Sequence, residues 1–392
     1  MGKRVVLHVG LMKSGTTYLQ SLMEANHELL LEQGVLFPTP WAVQTRGVSE
    51  FLELPLQRFP GAWEKLRDRI LEHDGTSVVS MEYLGPAKVE LIRRLRDELP
   101  GCDVQAVITI RDLGRGIPAM WQETIKNRRS WGWTEYLEAI SARGPKPTEA
   151  GAQFWRQQGF GRAVARWAEG LGAANVTVIT IPQPGAPQTV LWDRFSEVAG
   201  IAPGDFAPPA RSNTSLGLHS TLLMRLLNER TEDLTRDQYR HRYKALSKHT
   251  LGAHAREEAK LGFAVPAWLR RRTEKEIELV RKSGVRVVGD LAELTPVDTD
   301  GIEPSAVSDA AVLDAAVHAL DVLLREGEDA YLPEARRTGD GGTHPWEPGK
   351  KRVGKGGGMG RGQGGGQGGG QGGGRGRRGQ GAQAGSEDAS DD

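Results

Sequence analysis

Residues 5–17 read Val-Val-Leu-His-Val-Gly-Leu-Met-Lys-Ser-Gly-Thr-Thr, and this stretch decides the fold. Its β-branched run predicts a buried strand, which breaks into a glycine-bracketed loop that opens a helix at Thr16. In such a loop, backbone N–H groups and the positive end of the helix dipole point at one spot. The stretch therefore predicts a binding site for a phosphate or sulfate group.

The loop matches the nucleotide-triphosphate motif G-x-x-x-x-G-K-[ST] only in part. Gly10 and Gly15 match its two glycines, and Thr17 matches its last position. Thr16, however, stands where that motif has its lysine, and the loop's own lysine is Lys13. We therefore expect an anion-binding loop, and an ATP or GTP enzyme is disfavoured.

Short apolar runs alternate with helical patterns as far as Ile181, and beyond it the pattern is mostly helical. The predicted strands are Val5–Val9, Val35–Phe37, Ser77–Met81, Gln105–Ile110 and Val176–Ile181, with a last one at Val285–Val288. Predicted helices between them lie at about 16–32, 62–72 and 88–98 and over much of 115–170. This alternation predicts an α/β fold of three layers, P-loop-like, with a central parallel sheet flanked by helices.

Bulk composition narrows the class of protein. The chain has 392 residues, 38% of them hydrophobic, and its net charge of +1 predicts neither a nucleic-acid nor a membrane partner. Cys102 is the single cysteine, so it forms no internal disulfide and no metal cluster. No apolar run approaches the roughly 20 residues that span a bilayer, and no signal peptide is visible. We therefore expect a soluble, cytoplasmic protein without membrane insertion.

Three regions are expected along the chain. Residues 1–300 form the P-loop-like domain, residues 301–335 a helical extension with a helix over Ala310–Arg325, and residues 336–392 a Gly/Arg/Gln-rich tail. More than half of the residues from Gly354 to Gly379 are glycine, a composition that cannot bury a core and predicts disorder. The tail's Arg–Gly segments are compatible with weak contact to nucleic acid, although a flexible solvated tail is favoured.

A second motif follows the strand over Gln105–Ile110, which ends in Arg111-Asp112, roughly a hundred residues after the loop. A Lys-Ser-Gly-Thr-Thr loop paired with a strand that ends in Arg-Asp resembles the sulfotransferases that use 3′-phosphoadenosine-5′-phosphosulfate (PAPS). The resemblance covers about residues 4–295, includes residues 34–38, 191–195, 213–216 and 285–291, and looks closest to uncharacterised bacterial members.

The resemblance implies how the sulfuryl donor is bound. The loop residues implied to bind its 5′-phosphosulfate are Lys13, Ser14, Gly15, Thr16 and Thr17. Arg111 is implied to bind the 3′-phosphate, and its planar guanidinium suits phosphate oxygens. The family has a serine eight residues after this arginine, where the present chain has Ala119, so that hydroxyl contact is either lost or replaced by Arg115 or Gln122. No metal is expected.

Sulfuryl transfer to a hydroxyl or amine needs a base for the acceptor proton. Glu82 is the first ionisable residue after the strand at Ser77–Met81, and we favour it as this base, with His8 as the second candidate. Two other interpretations of Glu82 remain open: it caps a helix or pairs with an arginine, or it holds a metal in a nucleotide hydrolase.

The sequence therefore predicts a PAPS-dependent sulfotransferase that transfers a sulfuryl group in line to a hydroxyl or amine. The acceptor is a small molecule, glycan or glycolipid, bound by segments at roughly 39–62 and 125–170. Trp121, Gln122, Glu123 and Lys126 either line this acceptor pocket or serve ordinary packing and surface charge. Two alternatives are a P-loop kinase or nucleotide hydrolase, and a non-catalytic nucleotide- or RNA-binding protein that uses its tail.

Overall fold

The computed structural model describes residues 2–54, 59–142, 147–187, 189–208 and 216–326. The chain divides into two units, Met1–Thr338 and Gly339–Asp392, and every described residue belongs to the first. The predicted tail over residues 336–392 lies outside the described residues, as do residues 213–215 of the sequence resemblance.

Six strands form one sheet in the described part of the chain, and every neighbouring pair is parallel. They are β1 (Lys3–His8), β2 (Val35–Leu36), β3 (Thr76–Ser80), β4 (Cys102–Ile110), β5 (Val176–Thr180) and β6 (Arg286–Val288). Their order across the sheet is β2-β3-β1-β4-β5-β6. The predicted α/β fold with a central parallel sheet is confirmed.

Helices connect the strands and continue beyond the sheet. They are α1 (Thr16–Ala25), α2 (His27–Glu32), α3 (Trp41–Phe51), α4 (Ala62–Glu72), α5 (Val89–Asp97), α6 (Leu113–Lys126), α7 (Trp133–Ser141), α8 (Glu149–Gln158), α9 (Phe160–Leu171), α10 (Thr189–Ala199), α11 (Leu218–Asn228), α12 (Arg236–Ala245), α13 (Leu251–His254), α14 (Ala267–Lys282) and α15 (Asp309–Glu326). None of the helices in these ranges has both the length and the apolar content that crossing a membrane requires.

The central strand β1 is buried on both faces, which explains its unbroken apolar sequence. Successive side chains of a strand point to opposite faces, and here Val5 and Leu7 join one hydrophobic cluster while Val6 joins the other. Side chains of α5, α6 and α9 complete the first cluster, and those of α1 and α10 complete the second. The sheet is therefore the middle of three layers.

The helix predicted at about 16–32 is in fact two helices, which meet at Asn26. The Asn26 amide group donates to the carbonyl oxygen of Ala207 at 2.9 Å and accepts from the Ala207 N–H at 2.8 Å. A long-range contact therefore fixes the break, and the local helical pattern does not reveal it.

Helix α3 was not predicted as a helix, because several of its buried positions are not apolar. Gln44 is fully buried, and its side chain accepts from the Ser80 N–H at 2.8 Å and donates to the Pro38 carbonyl at 2.9 Å. A glutamine at a buried position interrupts the repeat of apolar residues from which a helix is predicted. The same contacts attach α3 to the end of β3.

The sheet order brings the predicted site residues together. Strands β3, β1 and β4 are neighbours, and His8 at the end of β1 is in register with Ser80 on one side and Val107 on the other. Because the strands are parallel, their carboxyl ends meet at one edge, where ligands of such sheets bind. The loop after β1, Glu82 after β3 and Arg111 after β4 therefore share this edge.

Candidate active site

The loop between β1 and α1 is held in shape from within and from α8. Lys13 and Gly15 both have left-handed backbone conformations, with φ of 64° and 80°. The buried Gln158 side chain donates to the Met12 carbonyl at 2.7 Å. The Ser14 N–H donates to the Leu11 carbonyl at 3.2 Å. The loop is thus a tight turn whose path is fixed by hydrogen bonds.

Ser14 supports this turn with its side chain as well. The residue is 1% exposed, and its hydroxyl donates to the Leu11 carbonyl and lies 2.8 Å from Thr109 Oγ1. Both its N–H and its hydroxyl are therefore engaged within the fold. The sequence pattern gave Ser14 a contact with the sulfuryl donor, and the structure places its polar groups against the protein.

The N-terminus of α1 faces the same edge of the sheet. Helix α1 begins at Thr16, its first turn has no acidic residue, and no side chain caps it. The N–H groups of a first turn have no partner within the helix, and they carry the positive end of its dipole. Since no carboxylate of this turn offsets that charge, the end of α1 suits an anion.

Gly10 allows the loop to pass close to β4 and α1. A Cβ atom added at Gly10 would lie 2.3 Å from Thr16 Cγ2 and 2.9 Å from His8 Nε2. We expect Gly10→Ala to cost about 1–3 kcal/mol of stability, as overpacked core sites do, and to weaken anion binding by displacing the loop. Thermal unfolding with and without ligand measures both effects. Gly204→Ala is the control, because a Cβ at that position comes no nearer than 3.5 Å to any neighbour and lies away from the loop.

Lys13 makes an ion pair that the sequence pattern did not reveal. Its Nζ donates to Oε2 of Glu123 on α6 at 2.6 Å, and both side chains are largely buried, with 28% and 22% exposed. Burial disfavours the charged form of Glu123, but the charge and hydrogen bond of Lys13, together with Lys126 and Asn127, outweigh this effect, and the pKa of Glu123 is lowered. Glu123 is therefore ionised at neutral pH, and its carboxylate holds the Lys13 side chain at the strand ends.

Arg111 follows β4 directly, and its guanidinium is partly buried beside the loop. Its Nη1 lies 3.5 Å from the Lys13 carbonyl oxygen. Burial, with a smaller contribution from the charge of Arg115, lowers the pKa of Arg111 to about 10, so that it stays protonated at pH 7. Within the described ranges no carboxylate lies at ion-pair distance from Arg111. A partly buried cation without such a partner favours an anionic ligand.

Arg115 and Gln122, the two predicted replacements for a serine contact at Ala119, both bind protein groups. Arg115 forms an ion pair through Nε with the fully buried Asp112, and its Nη2 donates to the Pro182 carbonyl at 3.0 Å. The Gln122 amide donates to the Leu216 carbonyl at 2.8 Å and to Thr221 Oγ1 at 3.2 Å. Two of the three guanidinium nitrogens of Arg115 are thus engaged, and Gln122 connects α6 with α11.

Glu82 begins the short 3-10 turn after β3, where it lies close to the charges of Lys13 and Glu123. The Gln20 side chain donates to Glu82 Oε2 at 3.3 Å and to the Ser80 carbonyl at 3.2 Å. Burial raises the pKa of Glu82 above its ordinary value, and it outweighs the hydrogen bonds and the Lys13 charge that act the other way. A carboxylate with a raised pKa is a stronger base, as proton abstraction requires.

His8 lies beneath the loop, and both of its ring nitrogens have partners. Nδ1 is 2.7 Å from Ser80 Oγ and Nε2 is 3.2 Å from Thr109 Oγ1. The residue is fully buried, and this burial lowers its pKa to about 3, so the ring is neutral at pH 7. Its position fits a hydrogen-bonded core residue that joins β3, β1 and β4, and we favour Glu82 as the base.

No family model matches the chain, and no curated protein matches it. A sulfotransferase of known structure from Alicyclobacillus acidocaldarius is similar over 61% of this chain and 100% of its own, with 17% sequence identity and a TM-score of 0.38.

Proposed function

We propose that this protein is a sulfotransferase that moves a sulfuryl group from PAPS to the hydroxyl or amine of an acceptor. One observation carries the proposal: two cations, Lys13 and Arg111, stand beside the uncapped N-terminus of α1, with the Glu82 carboxylate on the neighbouring strand end. This arrangement suits an anionic donor and a proton-accepting base at one edge of the sheet.

The anion-binding groups fit the two ends of the sulfuryl donor. The backbone of Gly15, Thr16 and Thr17 at the start of α1 would bind the 5′-phosphosulfate, and Arg111 would bind the 3′-phosphate. Ser14 acts by shaping the loop. Arg115 stays a proposed second ligand of the 3′-phosphate, through the part of its guanidinium that Asp112 and Pro182 leave available.

In the proposed step, the acceptor oxygen or nitrogen forms a bond to sulfur while the bond from sulfur to the bridging phosphate oxygen breaks. Glu82 accepts the proton that the acceptor loses. Negative charge grows on the bridging oxygen, and the Lys13 ammonium stabilises it there. Because this attraction is strongest in the transition state, it accelerates the reaction.

The proposal is tested by equilibrium binding of 3′-phosphoadenosine-5′-phosphate, the desulfated product. The wild-type protein should bind it more tightly than adenosine 5′-phosphate. Arg111→Gln should lower the affinity for 3′-phosphoadenosine-5′-phosphate by about 10- to 100-fold, as expected for the loss of hydrogen bonds to a charged group. Isothermal titration without Mg²⁺ gives both affinities. Arg162→Gln, at an exposed position of α9, removes the same charge and should leave them unchanged.

The same titration separates the proposal from the nucleotide-triphosphate alternative. Binding that requires ATP together with Mg²⁺, with no affinity for 3′-phosphoadenosine-5′-phosphate, would identify a kinase or nucleotide hydrolase instead. Transfer of labelled sulfate from PAPS to an acceptor is the direct confirmation.

A further inference from the structure

A cleft of about 760 Å³ lies between α3 and α12, apart from the residues assigned above. On one side it is lined by Trp41 and Arg46 of α3 and by Phe59, and on the other by Arg236, Asp237 and Arg240 of α12. It overlaps the segment at 39–62 for which the sequence predicted acceptor contacts.

Two residues that line the cleft, Trp41 and Arg236, act on the segment that carries the proposed base. The Trp41 indole N–H donates to the carbonyl of Ser80 at 3.1 Å, and Glu82 follows two residues later. On the other side, the charge of Arg236 acts on Tyr83, the residue after Glu82. Burial and the charge of Glu82 raise the pKa of Tyr83, and Arg236 opposes them. The cleft therefore lies beside the segment that carries Glu82.

The charge of the cleft is strongly positive. Three guanidinium groups line it, against the single carboxylate of Asp237. In the described part of the chain neither Arg46 nor Arg240 forms an ion pair, and His241 also lines the cleft. A cleft lined by one sign of charge concentrates ligands of the opposite sign.

Aromatic rings accompany these charges. The Trp41 ring is held by its bond to Ser80, and the guanidinium carbon of Arg46 lies 4.7 Å from the centre of the Phe59 ring. Rigid aromatic side chains bury flat apolar surface at low entropic cost. The cleft thus offers flat apolar contacts and oxyanion-binding groups together.

We propose that this cleft binds the acceptor, and that the acceptor is an anion: a ring that carries its reactive hydroxyl or amine together with an oxyanion such as a carboxylate. The inference rests on the proposed function, which it deepens by naming the acceptor class. Arg46, Arg236 and Arg240 bind the oxyanion, since guanidinium groups pair with carboxylates in two-point geometry. Trp41 contacts the ring, and the reactive group points to Glu82.

Matched acceptor pairs test this inference. The aromatic pair is 4-hydroxybenzoate and 4-hydroxybenzamide, and the sugar pair is glucuronate and glucuronamide. We expect kcat/KM with PAPS to be about tenfold higher for the acid of at least one pair than for its amide, as charge-assisted hydrogen bonds are stronger than neutral ones. A preference for the acid in the first pair indicates an aromatic acceptor, and one in the second pair indicates a sugar acceptor. The preference should shrink as salt is added, because the arginines are exposed.

Variants of the cleft arginines test whether the preference for the acid over the amide arises in the cleft. Arg240→Gln and Arg46→Gln should each bring the ratio of acid to amide towards one, while affinity for 3′-phosphoadenosine-5′-phosphate confirms folding. Arg281→Gln on α14, where the arginine side chain is 62% exposed, removes the same charge elsewhere and should keep the ratio. Equal kcat/KM for acid and amide in both pairs overturns the inference and leaves the proposed function standing.

Equilibrium binding of the same four compounds without PAPS distinguishes failure of the proposed function from failure of the inference about the acceptor. If 3′-phosphoadenosine-5′-phosphate does not bind and no sulfate is transferred, but an acid binds better than its amide and Arg240→Gln removes the difference, then the proposed function fails and the anionic cleft stands. If none of the four binds at millimolar concentration and none is sulfated, the inference is overturned.

Discussion

Replacing Lys13 by methionine should lower kcat by about 10²- to 10³-fold, the usual cost of removing one group that stabilises transition-state charge. Methionine keeps an unbranched side chain of similar length and removes the ammonium. The structure holds that ammonium at the strand ends through Glu123 Oε2, at 2.6 Å. Steady-state kinetics with PAPS and an excess of acceptor measure the effect.

The ion pair requires a control, because Lys13→Met also leaves Glu123 without its cation. Since Lys13 lowers the pKa of Glu123, its removal raises that pKa and destabilises the charged form. The double variant Lys13→Met with Glu123→Gln should therefore regain thermal stability and still have the low kcat. Recovery of kcat in the double variant would instead show that the unpaired Glu123 caused the loss.

A second control addresses the local charge. Lys244 on α12 donates to Asn127 Oδ1 at 2.9 Å and acts electrostatically on Lys126, so it belongs to the same positive region. Lys244→Met removes one positive charge without removing a proposed reacting group. We expect less than a threefold change in kcat, and a loss as large as that of Lys13→Met would contradict a specific role for Lys13.

Glu82→Gln should lower kcat by about 10²- to 10⁴-fold, the range that general-base catalysis contributes. Glutamine keeps the shape of the side chain but does not accept the proton at neutral pH. Affinity for 3′-phosphoadenosine-5′-phosphate should persist, because the proposed role of Glu82 concerns the acceptor and not the donor. A large loss of kcat with an unchanged dissociation constant is the expected signature.

The pH dependence follows from the raised pKa of Glu82. The base acts when ionised, so activity should rise with pH through the pKa of Glu82, at values above the ordinary range of glutamate. This rise should be absent from the residual activity of Glu82→Gln. A pH–rate profile of the wild-type protein and the variant provides the test.

The contribution of Glu82 to the stability of the folded protein should fall as pH rises, whereas activity should rise. A carboxyl group whose pKa is higher in the folded than in the unfolded state contributes stability below the unfolded value and loses it as pH rises through the folded value. As pH rises through the folded pKa of Glu82, the melting temperature of Glu82→Gln should therefore increase relative to that of the wild type. A variant of equal or greater stability at pH 7 excludes misfolding as the cause of its low kcat.

Glu123→Gln is the matched variant for the identity of the base. It removes the other carboxylate of the site, whose pKa is lowered and which is therefore the weaker base. The variant should keep the rise of activity with pH. If Glu123→Gln abolishes this rise and Glu82→Gln does not, Glu123 is the base.

Local sequence was sufficient for most of the fold. The apolar runs of β1, β3, β4 and β5, each followed by a helical pattern, predicted a parallel sheet, and the structure has one. Because parallel strands end at a common edge, the pattern also predicted that Lys13, Glu82 and Arg111 lie near one another. Each of these is a short-range signal, since hydrophobic periodicity and glycine placement act over a few residues.

Contacts between distant segments were decided only by the tertiary structure. Lys13 and Glu123 are 110 positions apart, and no local pattern marks them as partners. The engagement of Ser14, Arg115 and Gln122 within the protein was equally hidden, because a motif specifies residue types but not which neighbours satisfy their hydrogen bonds. The basic cleft between α3 and α12 arises in the same way. Short-range patterns specify the loop, the parallel strands with their common edge and the residue types there. The packing of helices onto that edge specifies which of these charged side chains are paired within the protein, because those contacts join residues far apart in the sequence.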